Sequence, residues 1–303
     1  MRREPVTLVE KECRTALNRV RGMPFDWSLN PYTGCAHRCT FCYVRAFELR
    51  ADRPADDRYG RAVLVKTNIA AVLRAELARP SWRREPVVVG AATDPYQPAE
   101  GTHRLTRACL QALHDARTPV QLITRGPMVV RDLDLLSASS RRARVMVCVS
   151  VPSLDPHVVE CTEPGTAPPR QRLRAVRRLV DAGVRAGVLM APILPGISDS
   201  PRALGEVVRA ARDAGAAFVG AIPLRLAPGT REHFLAHLAV DWPELAGEYG
   251  RLFDGRTSLP ASYAGALQLR VRRLCDVHGL GDRPTRFITP EPEPAQLALP
   301  LAS

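Results

Sequence analysis

Short apolar runs with the character of strands alternate with amphipathic helical stretches along this 303-residue chain, and this alternation constrains the fold more than any other feature. One of the runs, 145–151, is nearly continuous in β-branched and apolar residues, as is typical of a strand buried on both faces. The six runs lie mostly 25–35 residues apart, at 25–30, 87–89, 120–124, 145–151, 184–191 and 218–223. They predict an α/β fold with a parallel sheet, either a partial barrel or a doubly wound sheet. In both, functional residues belong at the carboxyl ends of the strands.

Helices are predicted after the strands, and the sequence divides into four segments. The helices are expected to start near Tyr43 and to cover 69–78, 105–116, 131–137, 170–182, 201–214, 231–238, 243–253 and 261–278, with Gly183 and Gly215 ending two of them. A polar stretch, 51–61, precedes a short apolar run at 63–65. The segments are an N-terminal extension (1–24), a core of βα units (25–225), a helical C-terminal region (226–278) and a tail (279–303). The tail contains five prolines, and we expect it to be flexible or to lie over the surface.

The chain lacks the sequence marks of a membrane or secreted protein. No apolar run approaches the roughly 20 residues that a bilayer requires. The N-terminus has no apolar segment of the kind found in secretory leaders. The expectation is therefore a cytoplasmic protein with no membrane partner and an oligomeric state that the sequence leaves open.

The net charge of +12 and the pI near 9.9 favour a polyanionic partner such as nucleic acid. Lys11 and Lys66 are the only lysines among 43 basic residues, so the charge also fits an arginine-rich proteome. Two groups of arginines are either phosphate-binding stripes or solvated helix faces: Arg170, Arg174, Arg177 and Arg178, and Arg270, Arg272 and Arg273.

Three of the eight cysteines fall within eight residues, directly after the first predicted strand, as Cys35, Cys39 and Cys42. Three thiolates on one short loop suit a soft metal centre. Zinc needs a fourth ligand, for which Cys13 and His37 are the candidates, and the remaining cysteines are isolated. Three cysteines with one open position suit a 4Fe–4S cluster whose fourth iron binds a small molecule. Core thiols without a metal are the third interpretation.

The pattern C-x3-C-x-Φ-C, with Phe41 in the aromatic position, resembles the signature of radical S-adenosylmethionine (SAM) enzymes. The resemblance implies a partial (β/α)6 barrel, here with a helical C-terminal extension, and a cluster held by Cys35, Cys39 and Cys42. It implies that SAM chelates the fourth iron, and that an electron from a flavodoxin or ferredoxin type of donor cleaves SAM. The resulting 5′-deoxyadenosyl radical abstracts a hydrogen atom from the substrate.

Residues 25–225 further resemble the spore photoproduct lyase branch and its DNA repair photolyase-like relatives. The matching motifs are N-P-Y-T-G-C at 30–35, T-D-P-Y-Q-P at 93–98, I-T-R at 123–125, E-P-G-T at 163–166 and A-P-I at 191–193. That branch implies a hydrogen-donating cysteine near the end of the second strand, but residues 90–94 read G-A-A-T-D. Cys148 and Cys161 are the alternative donors, and a core thiol is the other interpretation of each. The resemblance therefore implies a lyase-like repair enzyme without implying the lyase reaction itself.

The resemblance also suggests which residues bind SAM at the ends of the second and third strands. Thr93 and Asp94 stand where related enzymes receive the SAM ammonium group, although an Asx turn explains Asp94 equally well. Arg125 matches a basic residue that holds the SAM carboxylate, and a surface cation is the other interpretation. Tyr96 and Gln97 are expected on the same rim, in reach of the substrate.

Four further residues complete the predicted SAM site. Ser150 and Ser153 end the fourth strand and are candidates for bonds to the SAM ribose or carboxylate. Tyr43 follows the last cysteine and is expected to flank the adenine of SAM, and packing in the core is the alternative. Phe41 is also predicted to belong to the SAM-binding residues. Two functions follow: a radical SAM enzyme that acts on a substrate such as a nucleic-acid base, or a non-catalytic nucleic-acid-binding protein stabilised by zinc or a cluster.

Overall fold

An eight-stranded sheet forms the centre of the protein in the computed structural model, which describes residues 6–282. Its order is β11-β10-β9-β8-β7-β6-β3-β2, and every neighbouring pair is parallel except β2 and β3. The strands of the described part are β1 Thr7–Lys11, β2 Leu17–Arg19, β3 Trp27–Leu29, β4 Tyr32–Thr33, β5 Ala62–Lys66, β6 Val87–Val89, β7 Val120–Thr124, β8 Val145–Ser150, β9 Arg185–Ile193, β10 Phe218–Pro223 and β11 Gly281–Asp282.

The six predicted strands are confirmed as β3, β6, β7, β8, β9 and β10. They lie side by side in chain order, whereas a doubly wound sheet reverses its order at a switch point. Within residues 6–282 no strand pairing joins the two edges, β2 and β11. The fold is therefore the expected partial barrel.

Helices pack on the sheet and, in the C-terminal part of the chain, on the cysteine loop. They are α1 Arg45–Arg50, α2 Ile69–Leu77, α3 Glu100–His103, α4 Leu105–Asp115, α5 Leu133–Ser140, α6 Pro156–Thr162, α7 Pro169–Asp181, α8 Pro201–Asp213, α9 Thr230–Asp241, α10 Ala246–Leu252 and α11 Ala261–Val277. Gly183 and Gly215 follow α7 and α8 with φ of +76° and +74°, so the predicted glycine stops are confirmed. None of the helices within residues 6–282 has the length and apolar composition needed to cross a membrane.

Alternation along the strands divides the core into an outer and an inner part. Val145, Val147 and Val149 of β8 face the helices, while Met146 and Cys148 pack inside the barrel with Leu189 and Phe218. The same alternation places Ser150 on the inner side of β8 at its carboxyl end. Cys148, one of the two candidate hydrogen donors, is fully buried in this inner core.

The sequence pattern did not reveal a second sheet, with the order β1-β5-β4. The apolar run at 63–65 is the centre of β5, which pairs with β1 in parallel and with β4 in the antiparallel direction. Gly34 comes directly after β4 with φ of +83°, and a Cβ there would lie 2.8 Å from the carbonyl oxygen of Ala62. The small sheet thus fixes where the chain enters the cysteine loop.

The C-terminal helices share a core with the cysteine loop. Cys39 and Phe41 pack with Phe234 of α9, Tyr249 of α10 and other apolar residues of this region. Of the predicted proline-rich tail, Gly281–Asp282 pairs with β10 as β11, and residues 283–303 lie outside the described residues, as do residues 1–5.

Candidate functional site

The loop that carries the three cysteines follows β4 and ends where α1 begins. Cys35 and Cys39 are buried and Cys42 is half-buried. Two turns shape the loop: the amide of Arg38 donates to the carbonyl of Cys35 and that of Cys42 to the carbonyl of Cys39, both at 3.2 Å. Arg38 adopts the left-handed conformation, with φ of +53°. The loop is thereby compact, and none of its thiols forms a disulfide.

Thr93 and Gln97 hold the start of this loop from the turn after β6. The Thr93 hydroxyl donates to the carbonyl of Gly34 at 2.6 Å. The Gln97 amide oxygen accepts from the amide of Ala36 at 2.9 Å, and its NH2 group donates to the Thr93 hydroxyl at 2.9 Å. Gln97 lies on the same turn as Thr93, as expected, but it is fully buried and its hydrogen bonds go to the cysteine loop and to Thr93.

Asp94 makes its hydrogen bonds inside the protein. One carboxylate oxygen accepts from the Tyr96 amide at 2.8 Å, which is the Asx turn, and from the Thr124 hydroxyl at 2.7 Å. The other accepts from the Arg125 amide at 2.6 Å and lies 3.3 Å from Nδ1 of His37. Burial raises the pKa of Asp94, but His37 and the hydrogen bonds outweigh it and lower the pKa to about 2. Asp94 is therefore an ionised anchor between β6, β7 and the cysteine loop.

Tyr96 and His37 are also buried and turned toward protein groups. The Tyr96 hydroxyl donates to Asp132 at 2.9 Å, and the side chain is buried. Burial lowers the pKa of His37, but Asp94 and Cys35 raise it to about 10. The Nδ1 atom of His37 lies 3.3 Å from the Asp94 carboxylate, and this contact favours a role in positioning the loop over a role as a zinc ligand.

Arg125 lies on the inner side of the sheet, just beyond β7. Its Nε donates to Glu163 at 2.6 Å and one terminal nitrogen to the carbonyl of Ala191 at 2.8 Å. Its guanidinium covers the Phe41 ring, with 5.6 Å between Cζ and the ring centroid. Within residues 6–282 its Nη1 has no hydrogen-bond partner. Arg125 therefore has a fixed orientation and one free donor group.

Glu163 links Arg125 to a second arginine, and sequence reasoning gave it no role beyond its motif. Arg172 of α7 is fully buried and donates to Glu163 at 2.8 Å and to the carbonyl of Ser150 at 3.0 Å. Burial raises the pKa of Glu163, but Arg172 and Arg125 have the larger opposite effect, so the pKa is lowered overall. This chain of charges fixes the carboxyl ends of β7 and β8 relative to each other.

The segment after Glu163 closes over the cysteine loop. The amide of Gly165 donates to the carbonyl of His37 at 3.0 Å, and a Cβ at Gly165 would stand 2.4 Å from the carbonyl oxygen of Ala36. The amide of Thr40 donates to the carbonyl of Thr162 at 2.9 Å. The E-P-G-T motif at 163–166 thus acts as a backbone clamp, which explains its glycine.

The remaining predicted SAM-binding residues differ in exposure. Ser150 and Ser153 are buried, and the Ser153 hydroxyl accepts from the amide of Asp155 at 3.0 Å in a local turn. Phe41 is 5% exposed, and Tyr43 is 41% exposed with its hydroxyl bonded to the carbonyl of Ala91. Tyr43 is therefore the aromatic ring of this set that a ligand can reach.

Tyr59 and Arg45 contact the loop from its other side, and sequence reasoning missed both. The Tyr59 hydroxyl lies 3.7 Å from Sγ of Cys42. The Arg45 guanidinium stacks 4.7 Å from the Tyr59 ring centroid and donates to the carbonyl of Cys39 at 3.4 Å. Tyr59 belongs to the polar stretch 51–61, for which the sequence predicted no function. An aromatic residue beside Gly60 was the one feature of that stretch that could have indicated a packed position.

The three thiols fit a cluster better than a single zinc ion. Ligand atoms around one zinc lie close together because each Zn–S bond is about 2.3 Å. Within residues 6–282, Cys35, Cys39 and Cys42 do not form a set with all ligand atoms inside 4.8 Å of one another. Cys13 bonds through its amide to Asn68 and packs on the main core, away from the loop. Among the described residues the loop thus offers three thiols, while Cys13 lies elsewhere and Nδ1 of His37 faces Asp94, an arrangement that suits a larger metal group with one open position.

Comparison with known proteins gives one family and one fold. The profile of the radical SAM superfamily matches residues 29–209. An uncharacterized protein of Mycobacterium tuberculosis is 38% identical over 294 residues, which cover 96% of this chain and 86% of the relative. An uncharacterized protein of Methanocaldococcus jannaschii is 22% identical over 201 residues, covering 66% of this chain and 73% of the relative.

Among solved structures, mutants of spore photoproduct lyase have the same fold. A cysteine-to-serine mutant gives a TM-score of 0.65 at 18% identity, covering 90% of this chain and 79% of that one. A double mutant described with bound AdoMet and dinucleoside spore photoproduct gives 0.64 at 19% identity, with the same coverage.

Proposed function

Since the chain belongs to the radical SAM superfamily, we propose that Cys35, Cys39 and Cys42 hold a 4Fe–4S cluster and that SAM is the cosubstrate. The observation that carries the proposal is the set of three cysteines on one short, largely buried loop at the carboxyl edge of a partial barrel. When bound and reduced, the cluster supplies the electron that cleaves SAM and makes a carbon radical available for hydrogen abstraction. The protein supplies position and exclusion of water.

Arg125 is the residue that we assign to the SAM carboxylate. Its free Nη1 is on the inner side of the sheet, and Glu163 and the carbonyl of Ala191 hold its guanidinium in place. A guanidinium held in this way loses little side-chain entropy on binding, which favours a charge-assisted pair. Ser150 lies at the same edge and is assigned to a polar SAM group, and Tyr43 to the adenine.

Thr93, Asp94 and Ser153 receive positioning roles in this proposal. The hydrogen bonds of Thr93 and Asp94 go to the cysteine loop and to β7, so we assign them to shaping the SAM site and not to the SAM ammonium group. Phe41 supports Arg125 from below. The core unit is assigned to 25–225, with 226–278 as a helical cover of the cysteine loop.

The substrate that we propose is a nucleic-acid base, in a lyase-like repair reaction driven by an electron donor of flavodoxin or ferredoxin type. The support is the shared fold with a protein described with a bound dinucleoside, together with the net charge of +12. The exposed arginines of α7 lie on an outer helix and are not assigned to the substrate. The lyase reaction itself is not proposed, because residues 90–94 contain no cysteine and Cys148 is fully buried.

Anaerobic reconstitution tests the proposal. We expect about four irons and four sulfides per chain, and 5′-deoxyadenosine after addition of dithionite and SAM. Cys39→Ala removes both, whereas Cys109→Ala, a control cysteine of α4 in the main core, keeps both. A fully loaded protein that forms no 5′-deoxyadenosine contradicts the enzymatic proposal, and zinc without sulfide on the three cysteines supports the non-catalytic alternative.

A second experiment addresses the residues and the substrate. Arg125→Gln weakens SAM binding, while Arg174→Gln on the exposed face of α7 does not. Transfer of deuterium from labelled oligonucleotides into 5′-deoxyadenosine identifies the substrate class. No transfer from any nucleic acid contradicts that part of the proposal alone.

A further inference from the structure

A second group of metal-ligating side chains lies outside the cysteine loop. His233 and His237 are one turn apart on α9, and Asp57 comes from the segment before β5. One Asp57 carboxylate oxygen lies 3.7 Å from Nδ1 of His233 and 3.5 Å from Nε2 of His237. Within residues 6–282 this is the set of three His, Cys, Asp or Glu ligand atoms that all lie within 4.8 Å of one another.

The polar atoms of this set are not used by other protein groups. The two contacts between the imidazoles and Asp57 are longer than ordinary hydrogen bonds, and the His233 side chain is only 7% exposed. Each neutral imidazole can present a lone pair on the nitrogen that faces Asp57, so the three ligand atoms can converge on one cation.

The ligand types and distances select the cation. Two imidazole nitrogens and one carboxylate oxygen suit a divalent transition metal, of which we take zinc, and do not suit calcium or magnesium, which prefer oxygen ligands. Tetrahedral bonds of about 2.0–2.1 Å place neighbouring ligand atoms about 3.3 Å apart. The observed 3.5 and 3.7 Å are close to that value. The i, i+4 spacing puts both rings on one helix face, and their centroids are 4.6 Å apart.

We propose that Asp57, His233 and His237 bind one zinc ion, with the fourth position open to water. The Asp57 and His237 side chains are 70% and 40% exposed, so zinc can enter from solvent. Burial and the charges of Arg45 and His237 lower the pKa of His233, while the charges of Asp57 and Asp56 raise it.

The zinc ion would fasten two segments that both contact the cysteine loop. At the start of α9 the Thr230 hydroxyl donates to the carbonyl of Cys42 at 3.1 Å. Arg45 joins the carbonyl of Cys39 to that of Ala55, two residues before Asp57. The site therefore braces the helical cover against the loop. This inference does not depend on the proposed radical chemistry.

Zinc titration of the full chain, with the cysteine site already loaded anaerobically with iron and sulfide, tests the proposal. We expect one zinc per chain, a zinc-dependent rise in Tm, and the d–d absorption of a four-coordinate site when Co²⁺ replaces zinc. His237→Gln and Asp57→Asn change exposed side chains and each weaken zinc binding more than about tenfold, since loss of even an outer partner costs 10–100-fold. The control His278→Gln leaves zinc binding unchanged.

The outcomes separate this site from the cysteines, which can themselves bind zinc. Cys39→Ala is expected to lose iron and keep the zinc at Asp57, whereas His237→Gln loses that zinc and keeps iron and sulfide. Zinc that persists in His237→Gln and Asp57→Asn overturns the proposal. So does binding to the wild-type chain that fails to saturate at millimolar zinc.

Discussion

Replacing Gly165 with alanine is the sharpest perturbation of the cysteine loop that the structure offers. A Cβ at this position would lie 2.4 Å from the Ala36 carbonyl oxygen, 2.6 Å from Cα of His37 and 2.7 Å from the His37 carbonyl oxygen. All three are backbone atoms, so no flexible side chain can move aside. The loop must retreat by about 1 Å to restore ordinary contact distances, because repulsion rises steeply below them.

This displacement determines how much stability the substitution removes. Overpacking of a well-packed site costs about 1–3 kcal/mol, and the retreat also lengthens the 3.0 Å bond from the Gly165 amide to His37. His37 lies between Cys35 and Cys39, so the movement separates two of the three sulfurs. We expect Gly165→Ala to lower both the Tm and the iron and sulfide bound per chain.

Iron and sulfide analysis with a thermal melt measures this effect, and Gly265→Ala is the matched control. Gly265 lies in α11, and a Cβ there meets no atom within 4 Å. Its replacement should leave iron content unchanged and raise the stability by up to about 1 kcal/mol through helix propensity. If Gly165→Ala binds as much iron as the control and melts at the wild-type temperature, the clamp at 163–166 does not shape the loop.

Three further predictions concern the contacts around the loop. Glu163→Gln leaves the fully buried Arg172 without a counter-charge, so the free energy of unfolding measured in urea should fall by about 3–5 kcal/mol. An unchanged urea midpoint would contradict a stabilising role for this ion pair. Gln97→Leu keeps the side-chain volume but removes the hydrogen bonds to the loop, so it should lower the free energy of unfolding by about 1–3 kcal/mol in the same measurement. Tyr59→Phe removes the hydroxyl beside Sγ of Cys42 and should lower the cluster midpoint potential by roughly 40 mV, the equivalent of one hydrogen bond of about 1 kcal/mol. An EPR redox titration measures the last effect, and an unchanged potential would show that the hydroxyl makes no bond to the sulfur.

The sequence predicted the six barrel strands and the place of the cysteine loop because both depend on local patterns. The run at 145–150 is short and rich in valine, and both properties favour a buried strand over a helix. The motif then lies after the first strand by its position alone. The second sheet was missed because the run at 63–65 is short and its partners, β1 and β4, lie elsewhere in the chain.

The roles of individual polar residues were harder to predict. The sequence shows that Asp94 precedes a proline, but not that Thr124 and Arg125, about 30 residues later, donate to its carboxylate. Gln97 likewise accepts a hydrogen bond from the amide of Ala36, which is 61 residues away in the chain. Such bonds form only when strands meet in the fold, so a single sequence does not distinguish an anchor from a ligand-binding group.

The cover of the cysteine loop has a consequence for the order of events during synthesis. Thr230, which bonds to the carbonyl of Cys42, is 188 residues downstream of it. At about 5–20 residues per second a ribosome needs roughly 10–40 s to make that stretch. During this interval α9 and α10 do not yet exist, and the thiols of a nascent chain are open on the side that these helices later close. Metal delivery that coincides with translation therefore meets a more accessible loop than delivery to the finished protein.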